Sequence, residues 1–339
     1  MQIAPVVCFF IFVSLAPSAR QTALALVVPG AMMGAIALSQ RLGADPFRLF
    51  GWAPVLAEGA SDRLRVYGTL GNPDFVAAYL CGVAPLWWSM GPGLSAEDSN
   101  RTRPRQVFWL AIGLLLALGI LATGSRIPLL AGAAFALWRV LRSWRRVWAL
   151  APLAGFLALV VLLSPARSLS ETAEGRLYVW RVALPHCLEA PFFGFGPGSF
   201  EPKYAQWETE WLKRVPASDP RLRFAGFQDH AHNDYLEILV EHGAPGLAVF
   251  LAIAALGLGG AFLSKAEHGA LGRGAAGGLV ALLACAVADF PFHRPAGLFL
   301  FWMLLAMICL CSFSCSSGAR GEDVAETRSP VRAAKEEPV

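Results

Sequence analysis

The sequence is short of charge. Asp, Glu, Lys and Arg make up 15% of its 339 residues, whereas 56% are apolar. Soluble domains carry about 25% charged residues, so a water-soluble globule, a disordered chain and a coiled coil are excluded as the main class. Its seven cysteines include no Cys-x-x-Cys pair, and Cys309-x-Cys311 has no histidine cluster beside it. Neither a disulfide framework nor a cysteine-based metal site is read from that spacing. No Asp-x-Asp pair occurs, and the 28 basic residues form no stripe interleaved with aromatics. Nucleic acid is therefore not an expected partner. No basic segment precedes the first apolar run, which argues against a cleaved signal peptide.

Long apolar runs are what the sequence does have. They cover about 3–17, 22–39, 74–90, 107–123, 127–141, 147–163, 236–263, 275–288 and 296–313. A spanning helix needs roughly 20 mostly apolar residues, so a chain of this length holds about 8–10 of them. The expected fold is all-α, a polytopic helical membrane protein with about nine transmembrane helices. Four parts are expected: N-terminal transmembrane helices over 1–163, a large periplasmic loop over 164–235, C-terminal transmembrane helices over 236–315, and a disordered cytoplasmic tail over 316–339. The short loops 91–106 and 139–147 hold seven Arg between them, which orients them toward the cytoplasm. The 40–71 segment, the Ser125-Arg126 turn, the 164–233 region and the Asp289–Arg294 turn then share the opposite face.

Most residues that could carry chemistry lie on that face. His232 sits in Asp229-His-Ala-His-Asn-Asp-Tyr-Leu-Glu237. An imidazole titrates near working pH and suits general-base work, and Asp229, Asp234 and Glu237 could orient it. The same stretch also reads as a helix cap built on Asn233 or Asp234, and His230-x-His232 as half of a zinc site. Arg126, between two apolar runs, is either an interface anchor or a bidentate phosphate ligand. Arg176 and Trp180 are four apart and share a helix face, with Trp180, Val179 and Ala183 expected at the membrane interface and Arg181 on another side. The Pro191–Phe200 stretch is a Gly/Pro turn whose amides could cradle phosphate, although a tight turn accounts for its glycines better. Asn72-Pro73-Asp74 and Asp289-Phe-Pro-Phe-His-Arg294 read first as structural breaks between spans. Tyr204, Trp207 and Trp211 either stack on sugars or form a small apolar core, and Glu208-x-Glu210 is a weak metal candidate.

Taken in order, several of these pieces resemble the O-antigen ligase / O-antigen polymerase superfamily of bacterial membrane glycosyltransferases. The pieces are Gly68-Thr-Leu-Gly-Asn-Pro-Asp74, Gly124-Ser-Arg126, Gly175-Arg176 with Trp180, Gly194-Phe-Gly-Pro-Gly-Ser-Phe200, His230-Ala-His-Asn-Asp-Tyr-Leu236 and Glu241-His-Gly-Ala-Pro-Gly246. The resemblance runs from about residue 66 to about 312. It implies a GT-C-like helical fold at the bacterial inner membrane. It also implies inverting, metal-independent and cofactor-free transfer of a glycan from undecaprenyl diphosphate to a lipid, glycan or protein acceptor at the periplasmic face, among membrane lipids. Carried onto this chain, Arg126 and Arg176 bind the donor diphosphate and His232 activates the acceptor hydroxyl. His230, Asn233, Asn72, Arg181 and Gly196 are expected on the substrate-binding side. The chain departs from its relatives in span number: they commonly have about a dozen. A small-solute or bicarbonate-type transporter is the competing class, which internal repeats and broken mid-membrane helices would favour. A non-catalytic envelope assembly protein is the third, and it would be indifferent to loss of His232.

Overall fold

The computed structural model describes residues 3–15, 17–52, 66–91, 99–142, 155, 169–263 and 269–326. Among them there is no strand, so the all-α expectation holds. The helices are α1 (Ile3–Leu15), α2 (Ala19–Arg41), α3 (Pro73–Met90), α4 (Ser99–Thr123), α5 (Ile127–Arg142), α6 (Leu169–Ala183), α7 (Phe200–Leu212), α8 (Asp234–Leu263), α9 (Gly269–Cys285) and α10 (Pro295–Glu326). Four stretches among the described residues are long and apolar enough to cross a membrane: Ala19–Arg41, Pro104–Thr123, Asp234–Ala261 and Pro295–Ser312. Ile3–Leu15, Ile127–Leu137 and Gly269–Cys285 are apolar but shorter. Apart from Gly155, the expected sixth run falls outside the described residues.

Small residues let the helices of the bundle approach closely, as bilayer packing requires. A side chain on Gly278 of α9 would collide with the Gly82 carbonyl of α3, and one on Gly119 of α4 with the Gly34 backbone of α2. Large apolar residues fill the space between these contacts. Leu80 and Leu86, Leu279 and Leu282, and Leu300, Met303, Leu304 and Met307 are all buried. Trp87 and Trp109 stack with ring centroids 4.4 Å apart. Each indole N–H donates to the other's backbone carbonyl, at 2.9 Å and 3.3 Å.

Three expected boundaries move. The Arg-bearing loop before the fourth run is helical from Ser99, because α4 continues into it. The last helix runs to Glu326, well past Ser316, where disorder was expected. Extending an existing helix needs no new nucleus. The seventh run is also broken. Gly243 has φ 68° and ψ −175°, with Pro245 two residues on, so 234–242 and 244–263 are separate helical segments within α8. Glycine takes a positive φ without a Cβ clash and proline suits the first turn of a new helix, which together account for the break.

The region between α5 and α8 is a helical unit with its own apolar core. Tyr178, Val179, Val182, Ala183, Cys187, Phe200, Tyr204 and Trp207 are buried in it, together with Ala231, Leu236 and Val240. Val179 and Ala183 thus face this core rather than the membrane interface. Tyr204 and Trp207 are core residues too, not exposed sugar platforms.

Candidate functional site

The ends of five elements meet at one end of the bundle. Asn72 caps α3, its Oδ1 accepting the Asp74 N–H at 2.8 Å. Ser125 caps α5, its Oγ accepting the Ile127 N–H at 3.1 Å, while its hydroxyl donates to Asp74 Oδ1 at 2.5 Å. The α4–α5 turn that bears Arg126 is thereby tied to the start of α3. From the helical unit, Trp180 Nε1 donates to the Ala231 carbonyl at 2.9 Å, which fixes the backbone beside His232. Asn233 Oδ1 accepts the Leu236 N–H at 3.1 Å and caps α8. The α9–α10 turn brings Asp289 and Phe290.

His232 sits where these pieces converge. Its φ is 50°, and it is the one non-glycine residue with a positive φ among the described residues. A left-handed backbone at a residue with a Cβ costs roughly 1–3 kcal/mol, and such strain collects at functional positions. Its Nδ1 is buried with no hydrogen-bond partner among the described residues. The ring meets Phe290 edge-on at 5.1 Å. Burial and the positive charge of Arg176 hold the imidazole below its ordinary pKa, against the opposing charges of Asp229 and Asp74. The balance favours the neutral ring. Asp289 is 2% exposed with Oδ2 unpartnered. Burial and the neighbouring Asp74 carboxylate push its pKa up to about 7, and Arg176 opposes that rise. One guanidinium, on α6, thus acts on both groups.

The acids expected to orient His232 serve other histidines. Glu237 takes His230 Nδ1 at 2.6 Å and the Ala231 N–H at 2.9 Å. His230 is stacked on Phe290 with centroids 4.2 Å apart. Asp234 accepts the Phe292 N–H at 2.9 Å and binds His293 Nδ1 at 2.5 Å. The other nitrogen of His293 lies 3.5 Å from Glu237 Oε1 and 3.9 Å from Glu241 Oε2. Burial disfavours the imidazolium of His293, but its hydrogen bond to Asp234 and the neighbouring Glu241 and Glu237 carboxylates lift its pKa to about 10. Sequence reading missed this network. Its signal was present: Asp234, Glu237 and Glu241 lie on one face of an otherwise apolar helix. Glu237, Glu241 and His293 offer ligand atoms within 4.8 Å of one another, a spacing that could hold a metal ion. A protonated His293 already answers the two carboxylates there. The alternative zinc reading of His230-x-His232 finds no third ligand among the described residues, and His230 Nδ1 is held by Glu237.

The Gly/Pro turn has little left to offer phosphate. The Gly194, Phe195 and Gly196 amides donate to Ala190 O, Val240 O and Glu241 O at 2.9, 2.9 and 3.0 Å. The Phe200 amide points at Glu241 Oε1 at 3.4 Å. The turn instead seats itself on the break in α8, where Ala244 N donates to Pro191 O at 2.8 Å. Gly196 has φ 101° and open space where a Cβ would be. Arg181 is exposed and has no partner among the described residues. Glu208 is buried under Tyr178, Tyr204 and the Gly226 amide, at 2.9, 3.3 and 3.2 Å. Exposed Glu210 pairs with Arg214, so the two acids do not converge.

Residues 111–251 match the family model described as O-antigen ligase. No curated protein matches the chain. The matched stretch contains Arg126, Arg176, His230, His232 and both halves of the α8 break, within an all-helical, membrane-type architecture. This match supports the resemblance of the chain to the O-antigen ligase/polymerase superfamily.

Proposed function

We propose that the protein is an inverting membrane glycosyltransferase. It moves a glycan from undecaprenyl diphosphate to a lipid, glycan or protein acceptor at the periplasmic face of the bacterial inner membrane. In this reading about nine helices span the bilayer in a GT-C-like arrangement, 164–235 stands on the periplasmic side and 236–315 returns to the membrane. The observation that carries it is the geometry of His232: a left-handed backbone and a buried Nδ1 with no hydrogen-bond partner among the described residues, beside the Arg176 charge that lowers its pKa.

The chemistry follows from that state. Neutral imidazole takes the proton of the acceptor hydroxyl as its oxygen attacks the anomeric carbon. The bond from that carbon to the diphosphate oxygen breaks, and the configuration inverts because the displacement is single. Diphosphate is already a good leaving group, so the demand is for positive charge at its oxygens. Arg176 supplies it next to His232, and Arg126 supplies it from the turn tied to Asp74. Asn72 and Asn233 act here by capping the helices that set the site, and His230 by packing on Phe290. Arg181 faces lipid headgroups or substrate. Charge is met by guanidinium groups, so this mechanism calls for no metal. Arg126, His232 and Asp289 stand outside the apolar runs, at helix ends, which supports the enzyme reading.

The test uses a null strain complemented with wild type or His232→Ala at equal protein level. The variant should lose surface glycan and accumulate undecaprenyl-linked glycan. Accumulated long chains mark a ligase and single repeats mark a polymerase. Unchanged glycan in both pools, even in the null strain, would overturn the reading.

A further inference from the structure

Arg294 is a charged group that this mechanism does not use. It follows the short helical turn Pro291–His293 and immediately precedes α10. Its guanidinium lies over two aromatic rings, 4.7 Å from the Phe75 centroid and 4.8 Å from that of Phe290. Phe290 is the ring that His230 stacks on and His232 meets edge-on. The Arg294 side chain therefore stands one aromatic layer from the candidate base. The two rings fix the guanidinium plane, as cation–π packing does for arginine.

One of its N–H groups is left unanswered among the described residues. Nε is buried with no acceptor. The nearest carboxylate, Asp229, is 3.9 Å from Nη2, too long for a hydrogen bond. Arg221, by contrast, is held by Asp219 with three contacts of 2.6–3.2 Å. A rigid guanidinium with a buried, unanswered N–H is a fork prepared for an oxyanion that comes from outside the chain. The side chain is 38% exposed, so such a ligand can reach it. Neutral His232 adds no competing positive charge beside it.

We propose that Arg294 binds a phosphate oxygen of the lipid-linked diphosphate, on the Phe290 side of His232, as a further cation of the donor site. This rests on the transferase reading above and adds a residue outside the 111–251 family match. Asp229 holds the guanidinium loosely until the diphosphate replaces it.

The test is binding of farnesyl diphosphate to the purified full-length protein in detergent, read by thermophoresis. Wild type, Arg294→Gln, Arg294→Lys and Arg214→Gln are compared, the last removing an exposed arginine just past the end of α7 that pairs with Glu210. Melting curves and circular dichroism confirm that each variant is folded. Arg294→Gln should weaken binding about tenfold or more, Arg294→Lys should recover only part of it, and Arg214→Gln should match wild type. Should Arg294→Gln lose its fold, Arg294→Lys carries the comparison, because a point charge lacks the bidentate fork. Equal binding by wild type and the folded Arg294 variants overturns the proposal while leaving the transferase reading intact. Failure of wild type itself to bind the diphosphate overturns both.

Discussion

Replacing His293 by Gln removes the cation around which three buried carboxylates are arranged. Asp234 is 0% exposed, Glu237 1% and Glu241 4%, and they approach the ring at 2.5, 3.5 and 3.9 Å. Removing one partner of a buried pair costs about 3–5 kcal/mol. A rise in the folded-state pKa from 6.5 to about 10 corresponds to ~5 kcal/mol of linked stability. Because the folded value is raised, this contribution is complete below pH 6.5 and fades as pH climbs toward about 10. The assay is denaturant unfolding of purified protein in a mild detergent, with wild type and His293→Gln compared at pH 6, 8 and 10. The gap should be largest at pH 6 and shrink steadily across the window. A gap under about 1 kcal/mol at pH 6, or one that does not change with pH, would refute the reasoning. In the first case the network is solvated, and in the second the loss is one of packing alone.

Two further outcomes follow from the site and the break in α8. The acid limb of kcat/KM should fall below pH 6.5, because burial and Arg176 lower the His232 pKa and the base works only when neutral. Arg176→Gln should move that limb upward whatever it does to the rate, and an unmoved limb would separate Arg176 from His232. Gly243→Ala should destabilise the protein by about 2–4 kcal/mol, measured by thermal unfolding. Its Cβ would stand 2.6 Å from the Phe192 carbonyl carbon at a φ of 68°, and a loss below about 0.5 kcal/mol would show that the turn is not seated there.

How much of this could be read in advance depended on the range of the interaction. Membrane character, helical content and the helix starts at Asn72, Ser125 and Asn233 are local properties, and apolar run length and capping residues report them. The proximity of Arg176 to His232 was accessible through Trp180, which shares the Arg176 face and ties it to Ala231. The break at Gly243 was hidden, because apolar residues flank it on both sides and the run reads as continuous. Pairing between Asp234 and His293 joins residues far apart in sequence, and no spacing rule connects them. For the same reason Glu237 reads as one of three acids that could orient His232, whereas folding gives it to His230. The small core around Tyr204 and Trp207 was open in the sequence. Aromatics at helical spacing serve a core or a ligand equally well until their neighbours are known.

Reconstitution provides the decisive assay of His232 as the base of a lipid-linked glycan transferase. Wild type and His232→Ala are placed in liposomes with an undecaprenyl-diphosphate-linked oligosaccharide and acceptor-containing membrane extract. Released undecaprenyl diphosphate and transferred glycan are counted together. Wild type should release one diphosphate per glycan moved, and His232→Ala should be slower by about 100-fold or more with donor binding retained. Transfer by His232→Ala at the wild-type rate, or donor left intact by the wild type, would contradict the account.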